Sequence, residues 1–88
     1  MYILDIHGKQ ASTGSTIKVL KIEKSIFKGL SNHEIDSINS ILNGVFKIED
    51  VDFEGYAWIE KWWQKEDGSS YSHSIRLSAG NFELLIDQ

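Results

Sequence analysis

Residues 44–63, GVFKIEDVDFEGYAWIEKWW, constrain this chain more than any other stretch. They read as two β-strands joined by an acidic turn, Asp52-Phe53-Glu54-Gly55, and the second strand carries all three tryptophans of the chain. Side chains alternate between faces along a strand. Tyr56, Trp58, Glu60 and Trp62 therefore share one face of residues 56–63, and Ala57, Ile59, Lys61 and Trp63 share the other. One face of such a strand must be core, because large rings are the main apolar payload of a small domain. Both faces are bulky, so the alternation leaves open which of them points inward. With no cysteine in 88 residues, no disulfide can substitute for that core.

A chain of 88 residues is expected to form one domain over 1–88. A domain of this size buries roughly 60–65% of the surface its unfolded chain exposes. A hydrophobic fraction of 41% and a charged fraction of 25% are those of a globular protein, which argues against disorder. The net charge of −4 is unevenly spread. Five lysines (Lys9, Lys18, Lys21, Lys24, Lys28) face only Asp5 and Glu23 in residues 1–30, whereas eleven acids outnumber four basic groups in residues 31–88. That balance weighs against phosphate-backbone binding as the main activity, which needs clustered Lys and Arg. It favours a basic partner, although an acidic solvated surface that merely keeps the protein soluble gives the same sequence. No run approaches the roughly 20 apolar residues that span a bilayer. The opening MYILDIHGK, with Asp5 inside it, does not read as a secretory signal. The expectation is a cytoplasmic protein with no membrane contact.

Local signals place the remaining elements. Residues 2–6 are short and apolar, fit for an edge strand or a loosely held segment, and residues 8–16 read as a loop. Residues 16–22, TIKVLKI, alternate β-branched residues with lysines and predict a strand. Ser31-Asn32-His33-Glu34 has the form of a capping box, with Leu30 and Ile35 placed for a hydrophobic staple. Ile35, Ile38, Ile41 and Leu42 recur at helical spacing. Asn43-Gly44 supplies a left-handed stop, which predicts one short amphipathic helix over about 32–42. Residues 45–51 form the next strand, kinked near Glu49-Asp50. Residues 64–71 form a polar hairpin loop around Asp67-Gly68. Strands are expected over 73–77 and 82–86, separated by the turn Ser78-Ala79-Gly80-Asn81.

This order of elements resembles a small SH3-like β-barrel, and its middle resembles barrels of the KOW, Tudor and nitrile-hydratase-β type. The resemblance is carried by the strand from Gly14 through Ile17-Lys18-Val19-Leu20-Lys21-Ile22 and by Gly44-Val45-Phe46-Lys47-Ile48. The acidic turn ending in Gly55, the aromatic strand and the closing Leu77-Ser78…Phe82-Glu83-Leu84-Leu85 complete it. It covers about residues 14–86 and is a pattern of strands and turns. It implies a mainly β, SH3-like barrel of about five short strands with one helix, and a bias toward binding; it transfers no catalytic residue. A helix over 32–42 is longer than most loops of such barrels.

Candidate chemistry is sparse. Asp50, Asp52, Glu54 and Gly55 imitate the start of a calcium-binding loop, but the position that needs a bidentate Glu is Lys61, and the flanks read as strands. His7, His33 and His73 share no metal-ligand spacing. Ser72 and Ser74 flank His73 without a nucleophile elbow, and no phosphate-binding glycine motif is present. Neither a catalytic residue, a metal site nor a cofactor is expected. The strongest lead is aromatic: Tyr56, Trp58, Trp62, Trp63 and Tyr71, with Phe53 nearby, rimmed by Asp50, Asp52, Glu54 and Glu60. Rings edged by carboxylates suit a cation or an Arg- or Lys-bearing peptide, and Trp and Tyr are favoured interface anchors. The expected function is a non-enzymatic module that contacts a protein partner through these residues. The alternatives are a nucleic-acid-associated barrel using Lys18 and Lys21 and an inhibitory or immunity-type protein with a basic target.

Overall fold

The computed structural model describes residues 1–86. In chain order the elements are β1 (Ile3–Leu4), β2 (Gln10–Ala11), β3 (Thr16–Val19), a 3-10 turn (Lys24–Phe27), α1 (Asn32–Asn39), β4 (Val45–Lys47), β5 (Asp50–Val51), β6 (Ala57–Gln64), β7 (Ser70–Leu77) and β8 (Phe82–Ile86). Among the described residues the protein is thus mainly β with one α-helix. The strands form three small antiparallel sheets: β1-β2, β4-β3-β8 and β5-β6-β7.

The kink expected near residues 49–50 is where the chain passes between sheets. Ile48 still bonds toward the β3 side, its N–H donating to Ser15 O at 2.9 Å, while the next residue, Glu49, donates to Trp58 O on β6 at 2.8 Å. Ile48 is buried at that corner. One segment thereby serves two ladders, and the two larger sheets share a core of Ile17, Val19, Ile59, Ile75, Leu77 and Phe82. No closed barrel is found among the described residues, because β7 is hydrogen-bonded in a ladder only to β6. After β7 the chain turns through Ser78–Asn81 and continues as β8 beside β3, where Leu20 and Lys21 both donate to Asn81 O.

The capping box forms as the sequence predicts: Glu34 N–H donates to Ser31 Oγ at 3.2 Å, and Ser31 N–H donates to Glu34 Oε1 at 3.5 Å. The helix ends at Asn39, earlier than the spacing of isoleucines suggests. Ile41 and Leu42 donate to Ile38 O and Asn39 O, three residues back, so the chain tightens into a turn. Ile41 remains buried with Ile38, and Leu42 faces out. Asn43 takes the left-handed conformation (φ 64°). Gly44 is required for a different reason: a Cβ there would lie 2.7 Å from Phe46 Cε2 and 2.9 Å from Ile41 O.

Strand β3 ends at Val19, short of the predicted Ile22, and two predicted loops also differ from expectation. The predicted loop over 8–16 contains β2, whose Ala11 is buried opposite Ile3. The predicted loop over 64–71 is shorter, because β7 begins at Ser70. Ser70 and Ser72 carry little β-propensity of their own; they are in the strand because their backbone continues the ladder with β6 as far as Gln64. The connection is the turn at Lys65–Ser69, where Asp67 Oδ1 accepts Ser69 N–H at 2.9 Å and Gly68 has φ 89°.

The N-terminal hairpin is clipped to β8 through Asp5. This carboxylate is 4% exposed. Its Oδ1 accepts N–H groups of His7 and Lys9, and its Oδ2 accepts that of Leu84, each at 2.8 Å. Ile6 N–H also donates to Phe82 O, and Gly80 N–H donates to Leu4 O.

Candidate functional site

The third sheet decides which face of the aromatic strand is core. Ala57 and Ile59 of β6 are fully buried beside Leu77 and Ile75 of β7. Tyr56, Trp58, Glu60 and Trp62 therefore point outward. The five aromatic residues singled out from sequence do not form one surface: Tyr56, Trp58 and Trp62 lie on the outer face, and Trp63 and Tyr71 lie on the inner one.

On the outer face, cross-strand register builds three rows: Asp50–Trp58–Arg76, Glu60–Ser74 and Trp62–Ser72. Trp62 is 62% exposed, and Phe53 in the turn is 86% exposed. The acids hold the rings. Trp58 Nε1–H donates to Asp52 Oδ2 at 2.7 Å, and Asp52 Oδ1 accepts the N–H groups of Glu54 and Tyr56, each at 3.0 Å. The Trp58 indole, followed by the Tyr56 N–H, keeps the Asp52 carboxyl below its ordinary pKa. Trp62 Nε1–H donates to Glu60 Oε1 at 2.9 Å, while Ser72 and Ser74 hydroxyls donate to Glu60 Oε2 at 3.2 Å. Asp50 and Glu54 stay exposed. Arg76, which the sequence reading did not single out, stands 4.7 Å from the Tyr56 ring centroid in a cation–π contact. It was legible only once register put position 76 beside Trp58.

The inner face changes character along the ribbon. Beyond Ile59 and Ile75 the side chains are only half-buried: Lys61, Trp63, Tyr71 and His73. Trp63 and Tyr71 stack at 5.3 Å between centroids with 12° between planes, and His73 meets both edge-on. Lys61 Nζ lies 5.1 Å from the Trp63 ring centroid, and Lys65 Nζ lies 5.5 Å from that of Tyr71. This end of the ribbon overhangs α1, and a cleft of about 550 Å³ separates them, with His33, Glu34 and Ser37 on the helix side.

The calcium-like run does not make a calcium loop. Asp52 is committed to the turn and to Trp58, and Asp50 lies in β5. Among the described residues no group of three or more His, Asp or Glu side chains is placed to hold a metal ion. Lys18, proposed for nucleic-acid contact, sits opposite Glu83 in the β3–β8 ladder. No helix among the described residues is long and apolar enough to cross a membrane.

No protein-family model matches the chain, and comparison with curated proteins and with solved structures likewise finds no match.

Proposed function

We propose that the protein is a non-enzymatic binding module that takes an Arg- or Lys-bearing segment of a protein partner on the outer face of β5-β6-β7. The observation that carries this reading is Trp62, a large ring left 62% exposed yet oriented by a hydrogen bond to Glu60. An exposed ring held in place loses little freedom when it binds, and interface hot spots favour Trp for that reason. Asp50, Asp52, Glu54 and Glu60 outnumber Arg76 in and around this face, so its charge suits a cation. The order β4-β3-β8 followed by β5-β6-β7, with one segment shared at Ile48–Glu49, supports an SH3-like reading of the architecture. A basic target surface would also be the partner of an inhibitory protein built this way.

The test is an NMR titration with short extended peptides rich in Arg or Lys, against Glu-rich peptides of the same length. The expected result is a saturable shift of the Trp62 Nε1–H resonance with basic peptides only. Trp62→Ala should weaken binding by about tenfold or more, as a hot-spot ring does. Its melting temperature should stay within about 4 °C, the scale of an exposed-site change in a domain this small. Binding that is unchanged in Trp62→Ala would remove this face as the contact surface.

A further inference from the structure

The cleft between α1 and the overhanging end of β6–β7 lies on the opposite side of the sheet from the outer face. It has two walls of unlike chemistry. The sheet wall presents Tyr71 and His73, with Trp63 stacked against Tyr71. The helix wall is polar: His33, Glu34 and Ser37 are spaced as one stripe, separate from the buried Ile38 and Ile41 that attach this segment to the core. At about 550 Å³ the cleft falls within the size range of small-ligand sites. Gln64, Lys65 and Glu66 rim it from the hairpin end.

A ligand that satisfies both walls must be flat and apolar on its face and rich in donors and acceptors along its edge. We propose that this cleft binds a nucleobase, its ring laid on Tyr71 where Lys65 Nζ now stands 5.5 Å from the centroid, with His73 perpendicular beside it and the base edge toward His33, Ser37 and the Gln64 amide. Stacking on aromatic side chains is sequence-tolerant and substantial for any base, and a primary amide pairs with the donor–acceptor edge of a base. The charges select the form of the ligand. Lys65 is balanced by Glu34 and Glu66, and the chain as a whole carries −4. The site therefore fits a nucleoside as well as a nucleotide, and a single base rather than a strand held by its phosphates.

Trp63 supplies the readout. In a Trp58→Phe/Trp62→Phe background it is the only tryptophan, and its ring touches Tyr71. Fluorescence is titrated with adenosine, guanosine, cytidine and uridine, with adenosine monophosphate, and with a short single-stranded oligonucleotide at low and high salt. The expected result is saturable quenching by at least one nucleoside, with a dissociation constant on the order of 0.1–1 mM for a ligand of that size. Its monophosphate should bind within about threefold, since the site offers phosphate no net positive charge. His33→Ala and Ser37→Leu, both on the helix wall and outside the Trp63–Tyr71 stack, should each weaken binding by about fivefold or more. Absence of saturation by every nucleoside overturns the proposal. Unchanged affinity in both helix-wall variants places the base elsewhere and also overturns it. Binding by the oligonucleotide alone, lost at high salt, overturns it in favour of backbone recognition.

Discussion

Replacing Asp5 tests whether one buried carboxylate holds the N-terminal hairpin to the body of the protein. In the folded chain it accepts three backbone N–H groups, from His7, Lys9 and Leu84, each at 2.8 Å. Bonds to a charged acceptor contribute about 1.5–3 kcal/mol each, and three on one group do not add in full. Asp5→Ala leaves all three donors without this partner and should cost about 3–4 kcal/mol. That is a large part of the roughly 5–10 kcal/mol a small domain possesses. The melting temperature should fall by about 12–32 °C, at about 4–8 °C per kcal/mol. Asp5→Asn keeps one oxygen for His7 and Lys9 but turns an NH2 group toward Leu84 N–H, so it should cost about 1–2 kcal/mol. Urea denaturation measures both, with an unchanged slope showing that the variants still unfold as one unit. Acid sharpens the test. Burial pushes the Asp5 pKa up, but the N–H groups of Leu84, Lys9 and His7 outweigh it, and the folded value lies below the ordinary one. A depressed folded pKa gives stability that is complete above the unfolded Asp value near 4 and is lost as pH falls through the folded value. Asparagine does not titrate there, so the gap between wild type and Asp5→Asn should shrink on acidification below about pH 4. Equal stability of wild type and Asp5→Ala at neutral pH would refute the reasoning, as would a gap to Asp5→Asn that widens in acid.

Gly44→Ala should destabilise by about 1–3 kcal/mol, the cost of forcing a methyl group into a filled space; its Cβ meets the Ile41 carbonyl at 2.9 Å, which is backbone and cannot swing away. Thermal unfolding checks it, and an unchanged midpoint would mean that the 41–46 turn relaxes freely. Ser31→Ala removes the acceptor for Glu34 N–H and should cost about 1 kcal/mol, with circular dichroism showing α1 loosened before the sheets melt. Phe82→Ala, at the largest fully buried side chain, should cost about 3–5 kcal/mol and expose the junction of β8 with the N-terminal hairpin to hydrogen exchange.

Where a local rule decides the outcome, the sequence is readable. The capping box, the left-handed Asn43 and the 52–55 turn each depend on residues within about five positions of one another. The long-range pairings are not readable in this way. Nothing local in Ser70-Tyr71-Ser72 marks a strand; the ladder partner Trp62-Trp63-Gln64 makes it one. Nor does Asp5 announce a buried anchor, since its third donor, Leu84, is 79 residues away. The aromatic site was half legible. Strand alternation correctly separates Trp58 and Trp62 from Trp63, but the depth of the core along the ribbon decides which group reaches water. His33, Ser37 and Gln64 carried no signal at all, because a cleft between a helix and a strand end is a property of placement.

The bulk on both faces of β6 has a physical explanation in that placement. Burial on the inner face falls along the strand, from Ala57 and Ile59, fully enclosed, to Lys61 and Trp63, half-covered. The core therefore occupies only the first half of the ribbon. Past it, Trp63 packs half-buried against the edge of the core, and an exposed two-stranded end is marginal without side-chain support. Trp63 stacked on Tyr71, with a lysine near each ring, gives that end cross-strand support of its own. Of the two stacked rings, Tyr71 also lines the cleft, and the outer-face tryptophans Trp58 and Trp62 stand on the same ribbon. The contribution of the stack to the ribbon end can be read by substitution. Tyr71→Phe keeps the stack and should preserve the ribbon, whereas Tyr71→Ser should loosen the register of residues 61–64 and 70–73 while Ile59 and Ile75 stay protected from exchange. Loss of protection at Ile59 in Tyr71→Ser would show that core and overhang unfold together, and would remove the basis for treating the ribbon end as a unit apart.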